Sequence, residues 1–247
     1  MDRLDAAAIA VPGVEVRVLE RCTSTNHLLL KEPLGKPVLL AAEEQTAGRG
    51  RRGRRWHSAP GAGITFSLAL RVHRPVRELA SLSLVAGVAA TRALHALGVK
   101  TARLKWPNDL VVEGAKLGGI LVETRGSNHA VIGIGLNCLP DAALEAKLRR
   151  RLAYLNSPVS RNEVIERVGR ALLEAVEQFE NAGLNGLRAE WEALDAHAGQ
   201  RLRVRLADGR VMSGMASGLA DDGSLRLKTR RGLQSVRSGR VVSARAA

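Results

Sequence analysis

Gly63-Ile-Thr-Phe-Ser-Leu-Ala-Leu-Arg71 is followed within ten residues by an apolar series at Leu79, Leu82, Ala86, Ala89, Ala93 and Leu97. The first stretch places Ile64, Phe66, Leu68 and Leu70 at every second position and predicts a half-buried strand. The second repeats at helical spacing and predicts a long amphipathic helix. A strand that hands over to a long helix sets the chain in the α+β class, and the segments on either side agree with that reading.

Upstream, Val14–Leu19 alternates like a short strand and runs into Thr23-Ser-Thr-Asn26, a cluster suited to cap a helix through Lys31. Val38–Ala42 has the unbroken apolar character of a buried strand. Downstream, short strands are expected at Ala102–Lys105, Leu110–Glu113, Gly119–Thr124 and Ala130–Leu136. Ser160-Arg-Asn-Glu163 is a capping box opening a helix whose core face is Ile165, Val168, Leu172, Val176 and Phe179. Near Ala198 the pattern changes. Leu202, Val204 and Leu206 alternate, and turn pairs recur at Asp208-Gly209, Asp222-Gly223, Arg231-Gly232 and Ser238-Gly239, which predicts a small antiparallel barrel. The expected division is a mixed body over residues 1–197 and a β-module over 198–247.

The 247 residues carry 38 Lys and Arg against 24 Asp and Glu, a net charge of +14, which favours anionic partners. Residues 201–247 hold 11 of the basic side chains and three of the acidic ones, so the module is the more basic part. Cys22 and Cys138 stand alone, the six His are scattered, and neither pattern makes a disulfide framework or a zinc signature. No apolar run reaches the length of a membrane span, and Met1-Asp-Arg-Leu-Asp5 is unlike a signal peptide. The chain therefore reads as soluble and cytoplasmic, with no membrane partner.

Four segments carry chemistry. Gly48-Arg-Gly-Arg-Arg-Gly-Arg-Arg-Trp56 packs five arginines among glycines, joining backbone freedom to planar donors matched to carboxylate and phosphate. Its Gly48-Arg-Gly-Arg-Arg-Gly53 core also satisfies the dinucleotide pattern, but that fingerprint needs a helix to begin within the motif. Here a turn-rich loop, Trp56–Gly63, follows instead. An anion-binding loop, mobile until a ligand arrives, is the better reading. Lys105-Trp-Pro-Asn-Asp109 projects two polar side chains from a turn fixed by Pro107, suited to a nucleotide directly or through hydrated Mg²⁺. Lys116-Leu-Gly-Gly-Ile120 sets a cation before a glycine pair that lets a ligand approach the strand, and Gly133-Ile-Gly-Leu-Asn137 repeats the device. No nucleophile elbow exists, and Cys138 is read as a buried, inert thiol.

Together with Thr23-Ser-Thr-Asn26 and Gln45-Thr-Ala-Gly-Arg-Gly-Arg-Arg-Gly-Arg54, these segments occur in the order found in biotin–protein ligases, and the chain resembles that family over residues 14–245. The resemblance implies a mixed-sheet catalytic domain of the biotin/lipoate ligase type followed by a small SH3-like β-barrel. It implies an acyl-adenylate-forming reaction in which biotin and MgATP give biotinyl-5′-AMP, and the acyl group then passes to a lysine of the biotin carboxyl carrier protein of acetyl-CoA carboxylase.

Carried over residue by residue, the resemblance gives Ser24, Thr25, Asn26 and Gln45 to the biotin ring and Gly48, Arg49, Gly50 and Arg51 to a closing loop. Lys116, Gly119, Gly133 and Gly135 fall on the biotin side, and Arg51, Arg54, Trp56, Asn108, Asp109 and Asn137 on the ATP side. Lys116 and Arg51 are the catalytic candidates, and no metal is held by protein ligands alone. Members with a DNA-binding helix-turn-helix carry it ahead of the body, which here begins almost at Met1, so DNA is not an expected partner. A homodimer is compatible with the sequence. The alternatives are a lipoate or octanoyl ligase of related fold and a basic nucleic-acid-binding module.

Overall fold

The computed structural model describes residues 2–57, 59–155 and 159–245. Ser58 of the turn-rich segment and residues 246–247 of the expected module lie outside them. A seven-stranded mixed sheet forms the body, built from β1 (Glu15–Cys22), β2 (Val38–Gln45), β3 (Gly63–Arg71), β4 (Ala102–Lys105), β5 (Asp109–Val112), β6 (Ala115–Arg125) and β7 (His129–Asn137). Its order is β1-β2-β3-β7-β6-β5-β4; β1 and β2 are parallel, joined by α1 (Thr25–Lys31), and every other neighbour is antiparallel.

β3 is not half-buried. Ile64, Phe66, Leu68 and Leu70 face the main core as expected, but Thr65, Ser67 and Ala69 on the opposite face are buried as well. Helix α1 covers that second face through Leu29, packed with Val38, Leu40, Ala69 and Val131. Sequence alternation reported the polar character of that face, not its exposure.

The long helix α2 (Leu82–Ala96), entered by a 3-10 turn at Val76–Ser81, also departs from the expected amphipathic stripe. Leu82, Leu84, Val85, Ala86, Val88, Ala89, Ala90, Ala93 and Leu94 are all buried. A helix apolar all round belongs inside a protein. After β7 comes the short α3 (Ala142–Leu148), and contact of α2 with the sheet, α4 (Arg161–Ala182) and α5 (Asn185–Leu194) encloses it. Val76–Ala96 is the one described segment long and apolar enough to cross a membrane, and it is packed within this core. α4 begins as the capping box requires, with Ser160 Oγ accepting the Glu163 amide at 3.0 Å, and its five predicted core residues are buried.

Residues 201–245 form the second sheet, wholly antiparallel, in the order β11-β10-β9-β8-β12. Its strands are β8 (Arg201–Leu206), β9 (Val211–Leu219), β10 (Leu225–Thr229), β11 (Gly232–Val236) and β12 (Gly239–Arg245). Among the described residues the end strands β11 and β12 do not pair with each other, so no hydrogen-bond ladder there closes the expected barrel. Its apolar residues Leu202, Val204, Leu219, Leu225 and Leu227 belong to the same hydrophobic cluster as the body. Trp106 joins the two sheets: it is buried, and its Nε1 donates to the Gly223 carbonyl at 3.1 Å.

Candidate active site

A cavity of about 310 Å³ opens over the middle of the large sheet and is bordered by the start of β12. Two halves of different chemistry line it.

The first half is a neutral polar cradle. Ser24 caps α1, and the next two residues, Thr25 and Asn26, are thereby turned inward and buried. Gln45 Oε1 accepts the Thr25 amide at 2.8 Å and its hydroxyl at 3.2 Å. Ser67 Oγ lies 2.7 Å from Thr25 Oγ1 and donates to Asn26 Oδ1 at 2.6 Å, while Asn26 Nδ2 donates to Leu121 O at 3.2 Å and Glu123 Oε2 at 3.0 Å. The floor must be glycine. A β-carbon on Gly133 would fall 2.2 Å from Asn26 Oδ1, and one on Gly135 would fall 2.4 Å from the Trp56 ring. The indole lies flat on the bare strand, with its buried Nε1 lacking a partner among the described residues.

The second half is cationic. Lys116 Nζ is ion-paired with Asp109 and stands 5.9 Å from the Trp56 ring. Arg51 Nη1 donates to Asn108 Oδ1 at 3.4 Å, and Asn108 Nδ2 donates to the Ile120 carbonyl at 2.7 Å. Burial lowers the Arg51 pKa from its ordinary value; the Arg52 charge adds to this and Asp109 opposes it. Burial also lowers Lys105; Asp109 opposes the shift, whereas Arg240, Lys116 and Arg150 reinforce it. Arg150 and Arg240 line the same cavity, and Asp109 is its sole carboxylate among the described residues. A space with this many cations and one countercharge is arranged for an anionic occupant.

The arginine segment is a hairpin. Trp56 N donates to Gly48 O at 2.9 Å, Gly50 N donates to Arg54 O at 2.7 Å, and the tip is a 3-10 turn at Arg51–Gly53 with Arg52 in the left-handed region at φ 57°. No α-helix starts in the motif, which accords with rejecting the dinucleotide reading. Arg49 is ion-paired with Glu123 at 3.3 Å, and Arg52 Nη2 donates to Ser238 Oγ at 2.7 Å, so the hairpin reaches both sheets.

Most of the predicted site residues meet here: Ser24, Thr25, Asn26, Gln45, Arg49, Gly50, Arg51, Arg54, Trp56, Asn108, Asp109, Lys116, Gly119, Gly133 and Gly135 line the cavity. Two do not. Asn137 is buried beneath the wall, its Nδ2 donating to the Lys116 carbonyl at 3.1 Å and the Ala153 carbonyl at 3.2 Å. Gly48 sits at the hairpin base against the outer side of the loop; a β-carbon there would meet Trp56 O at 2.7 Å. Cys138 is buried away from the cavity, and burial raises its thiol to about 12. Sequence reasoning missed Ser67, masked as a polar position in a strand, and Arg150 and Arg240, which reach the site from remote segments. Lys105 also lines the cavity, which the motif around it does not reveal.

A glycine-floored polar cradle joined to a cationic chamber, on a mixed sheet with a basic β-module against it, defines a class of ligand-binding protein that sets a neutral polar group beside an anion. The chain matches the Biotin/lipoate A/B protein ligase family over residues 18–137 and the Biotin protein ligase C terminal domain over residues 197–242. It is 36% identical to the biotin--[acetyl-CoA-carboxylase] ligase of Mycobacterium tuberculosis, covering 94% of this chain and 90% of that one. It is 33% identical to the enzyme of the same name from Paracoccus denitrificans, covering 91% and 98%. Among solved structures, a biotin protein ligase from Aquifex aeolicus in complex with biotin and ATP superposes with a TM-score of 0.80 at 26% identity, covering 94% and 99%. The chain belongs to the biotin protein ligase family.

Proposed function

We propose that this cavity is where biotin and ATP are joined as biotinyl-5′-AMP and from which the biotinyl group passes to one lysine of the biotin carboxyl carrier protein of acetyl-CoA carboxylase. The chain is an ATP-dependent ligase of the biotin–[acetyl-CoA-carboxylase] kind, as its relatives are named. The observation that carries the reading is the meeting, across the Trp56 indole, of the Thr25–Asn26–Gln45–Ser67 cradle with the Arg51–Lys116–Lys105 chamber.

In this reading the ring of biotin takes the cradle, held by Ser24, Thr25, Asn26 and Gln45 over Gly133 and Gly135, with Arg49, Gly50 and Arg51 closing above. The nucleotide takes the chamber, against Arg51, Arg54, Trp56, Asn108 and Asp109. A carboxylate and a triphosphate repel each other, and their transition state concentrates negative charge. Lys116, held beforehand by Asp109, and Arg51, brought over the site as the hairpin closes, stabilise it. The Asp109 contact holds the Lys116 ammonium in place until an anion replaces it. A closed hairpin also keeps water from the labile mixed anhydride.

Mg²⁺ fits this site as an ion carried by the triphosphate. Asp109 and Asn108 are the oxygen donors at hand, and the described residues hold no group of three metal-ligating side chains. Its chemistry there would be to neutralise phosphate charge. Residues 1–197 are assigned to catalysis, and residues 198–247 complete the nucleotide end through Arg240.

The test is incubation of the full chain with ATP, labelled biotin and the apo carrier domain. ATP-dependent label on the carrier lysine is expected. Transfer of lipoate but not biotin would overturn the assignment in favour of a lipoate or octanoyl ligase.

A further inference from the structure

The outer face of the C-terminal sheet carries a row of cations of which adenylate formation uses only the Arg240 end. In β8, Leu202 and Val204 point into the core while Arg201, Arg203 and Arg205 are exposed. β12 pairs with β8 so that Arg240 stands opposite Arg205, Ser243 opposite Arg203 and Arg245 opposite Arg201. The irregularity between Val241 and Ser243 makes this register possible: Val241 and Ala244 both stay on the inward side, and Arg240 and Arg245 both face outward. On the other flank Met215 lies opposite Arg201 and Lys228 opposite Met215, adding one more cation to the row.

None of these six basic side chains has a hydrogen-bond or ion-pair partner among the described residues. Like charges directly opposite on neighbouring strands are destabilising. Two such pairs in one ladder, with no carboxylate among them, weaken the fold unless something anionic covers the face. The ladder also has a direction. Its Arg240 end lines the catalytic cavity with Gly239, Val241 and Val242, so a macromolecule seated on it lies against the place where the acyl group leaves. A nucleic acid in that position would cover the cavity, whereas an acyl acceptor must come there.

We propose that this arginine ladder docks an acidic face of the acceptor protein and steers its lysine to the acyl-adenylate. This rests on the ligase reading above. Complementary charge of this kind speeds association and is screened by salt.

The test uses the full chain with Arg203→Glu and Arg205→Glu together, neither of which lines the cavity, and Arg203→Gln with Arg205→Gln as the milder pair. Pyrophosphate release from ATP and biotin without acceptor should stay within about twofold of wild type, and Tm should be equal or higher because repulsion is relieved. The apparent KM for the apo carrier domain should rise about tenfold at low salt in the Glu pair, with kcat little changed, and lose most of its salt dependence.

An acceptor KM that is unmoved in both pairs overturns the proposal. So does binding of a short DNA duplex at physiological salt that is lost in the variants while the acceptor KM holds. Direct titration of the apo carrier domain against wild type and variant reads docking independently of catalysis. Normal docking with no adenylate from biotin would sink the ligase reading and leave the surface assignment standing.

Discussion

Lys116 is a cation held in a partly enclosed place by one carboxylate, one aromatic face and a strand that Asn137 anchors from below. Its ammonium sits where the polar and cationic halves of the cavity meet. On the proposed assignment, replacing it with alanine removes positive charge where negative charge would develop, a loss of about 3–4 kcal/mol of barrier or roughly two to three decades of rate. Pyrophosphate release by Lys116→Ala should fall by that factor, and acyl transfer from supplied biotinyl-5′-AMP should fall less; release near the wild-type rate would remove Lys116 from the reaction. Asn137 shows the opposite case. Asn137→Ala takes one donor from the Lys116 carbonyl and the donor from the Ala153 carbonyl, and a buried group left unpaired costs about 1–3 kcal/mol. Denaturant unfolding should register that loss; unchanged stability would return Asn137 to consideration as a ligand contact.

Among the elements, the arginine hairpin is held by few bonds along its own length and by contacts to neighbours at Glu123, Asn108 and Ser238. Five clustered cations repel each other, so an anion bound beneath them should order the segment. Tryptic cutting within residues 48–56 is expected to slow when biotin and ATP are added, and equal rates with and without them would argue against closure. The start of α4 is held differently. Arg161 is 3% exposed at its side chain and donates to both oxygens of Glu43, at 2.7 and 3.0 Å. Burial pushes the Glu43 carboxyl up, but the Arg161 hydrogen bond, the Leu4 amide and the Arg161 charge outweigh it and hold the pKa below the ordinary value. A depressed carboxyl contributes stability that is present above its unfolded pKa and lost as pH falls through the folded one. Glu43→Ala takes the two-point carboxylate from a buried guanidinium, leaving it the more distant Asp2 carboxylate at 3.8 Å and the Gly63 and Asp2 carbonyls, and should cost up to about 3–5 kcal/mol, read as a drop in Tm at neutral pH that shrinks toward acid.

For the molecule as a whole, the sheets share one hydrophobic cluster, and the connector between them carries two partly buried titratable groups with opposed shifts. Burial raises Asp195 to about 6, with the His197 amide opposing and Glu192 adding. Burial lowers His197 to about 4, with the Lys105 charge adding. Between pH about 4 and 6 the folded protein keeps a proton on Asp195 that the unfolded chain has released, so this group makes stability fall as pH rises. Between about 4 and 6.5 the unfolded chain holds a proton on His197 that the folded protein lacks, so this group makes stability rise. The two oppose each other in the wild type. Thermal melts should therefore show Tm climbing more steeply with pH in Asp195→Asn and less steeply in His197→Gln. Identical slopes in both variants and the wild type would show that neither group is shifted by desolvation as described.

Local chemistry decided much of this in advance. The Ser160 cap, the core stripe of α4, the strand periods and the five motifs are properties of residues near one another in the chain, and periodicity or spacing records them directly. Contact across the chain decided the rest. Ser67 became part of the cradle only because α1 folds over the second face of β3, and α2 lost its polar side because helices and sheet enclose it. Asn137 was drawn under the wall by a loop that brings Ala153 to Lys116. Arg240, more than a hundred residues from Lys105 and Lys116, reached the same cavity because Trp106 binds the two sheets together. A side chain's type is written in the sequence, but its burial and its partner depend on which distant surface packs against it, and a one-dimensional pattern carries no term for that.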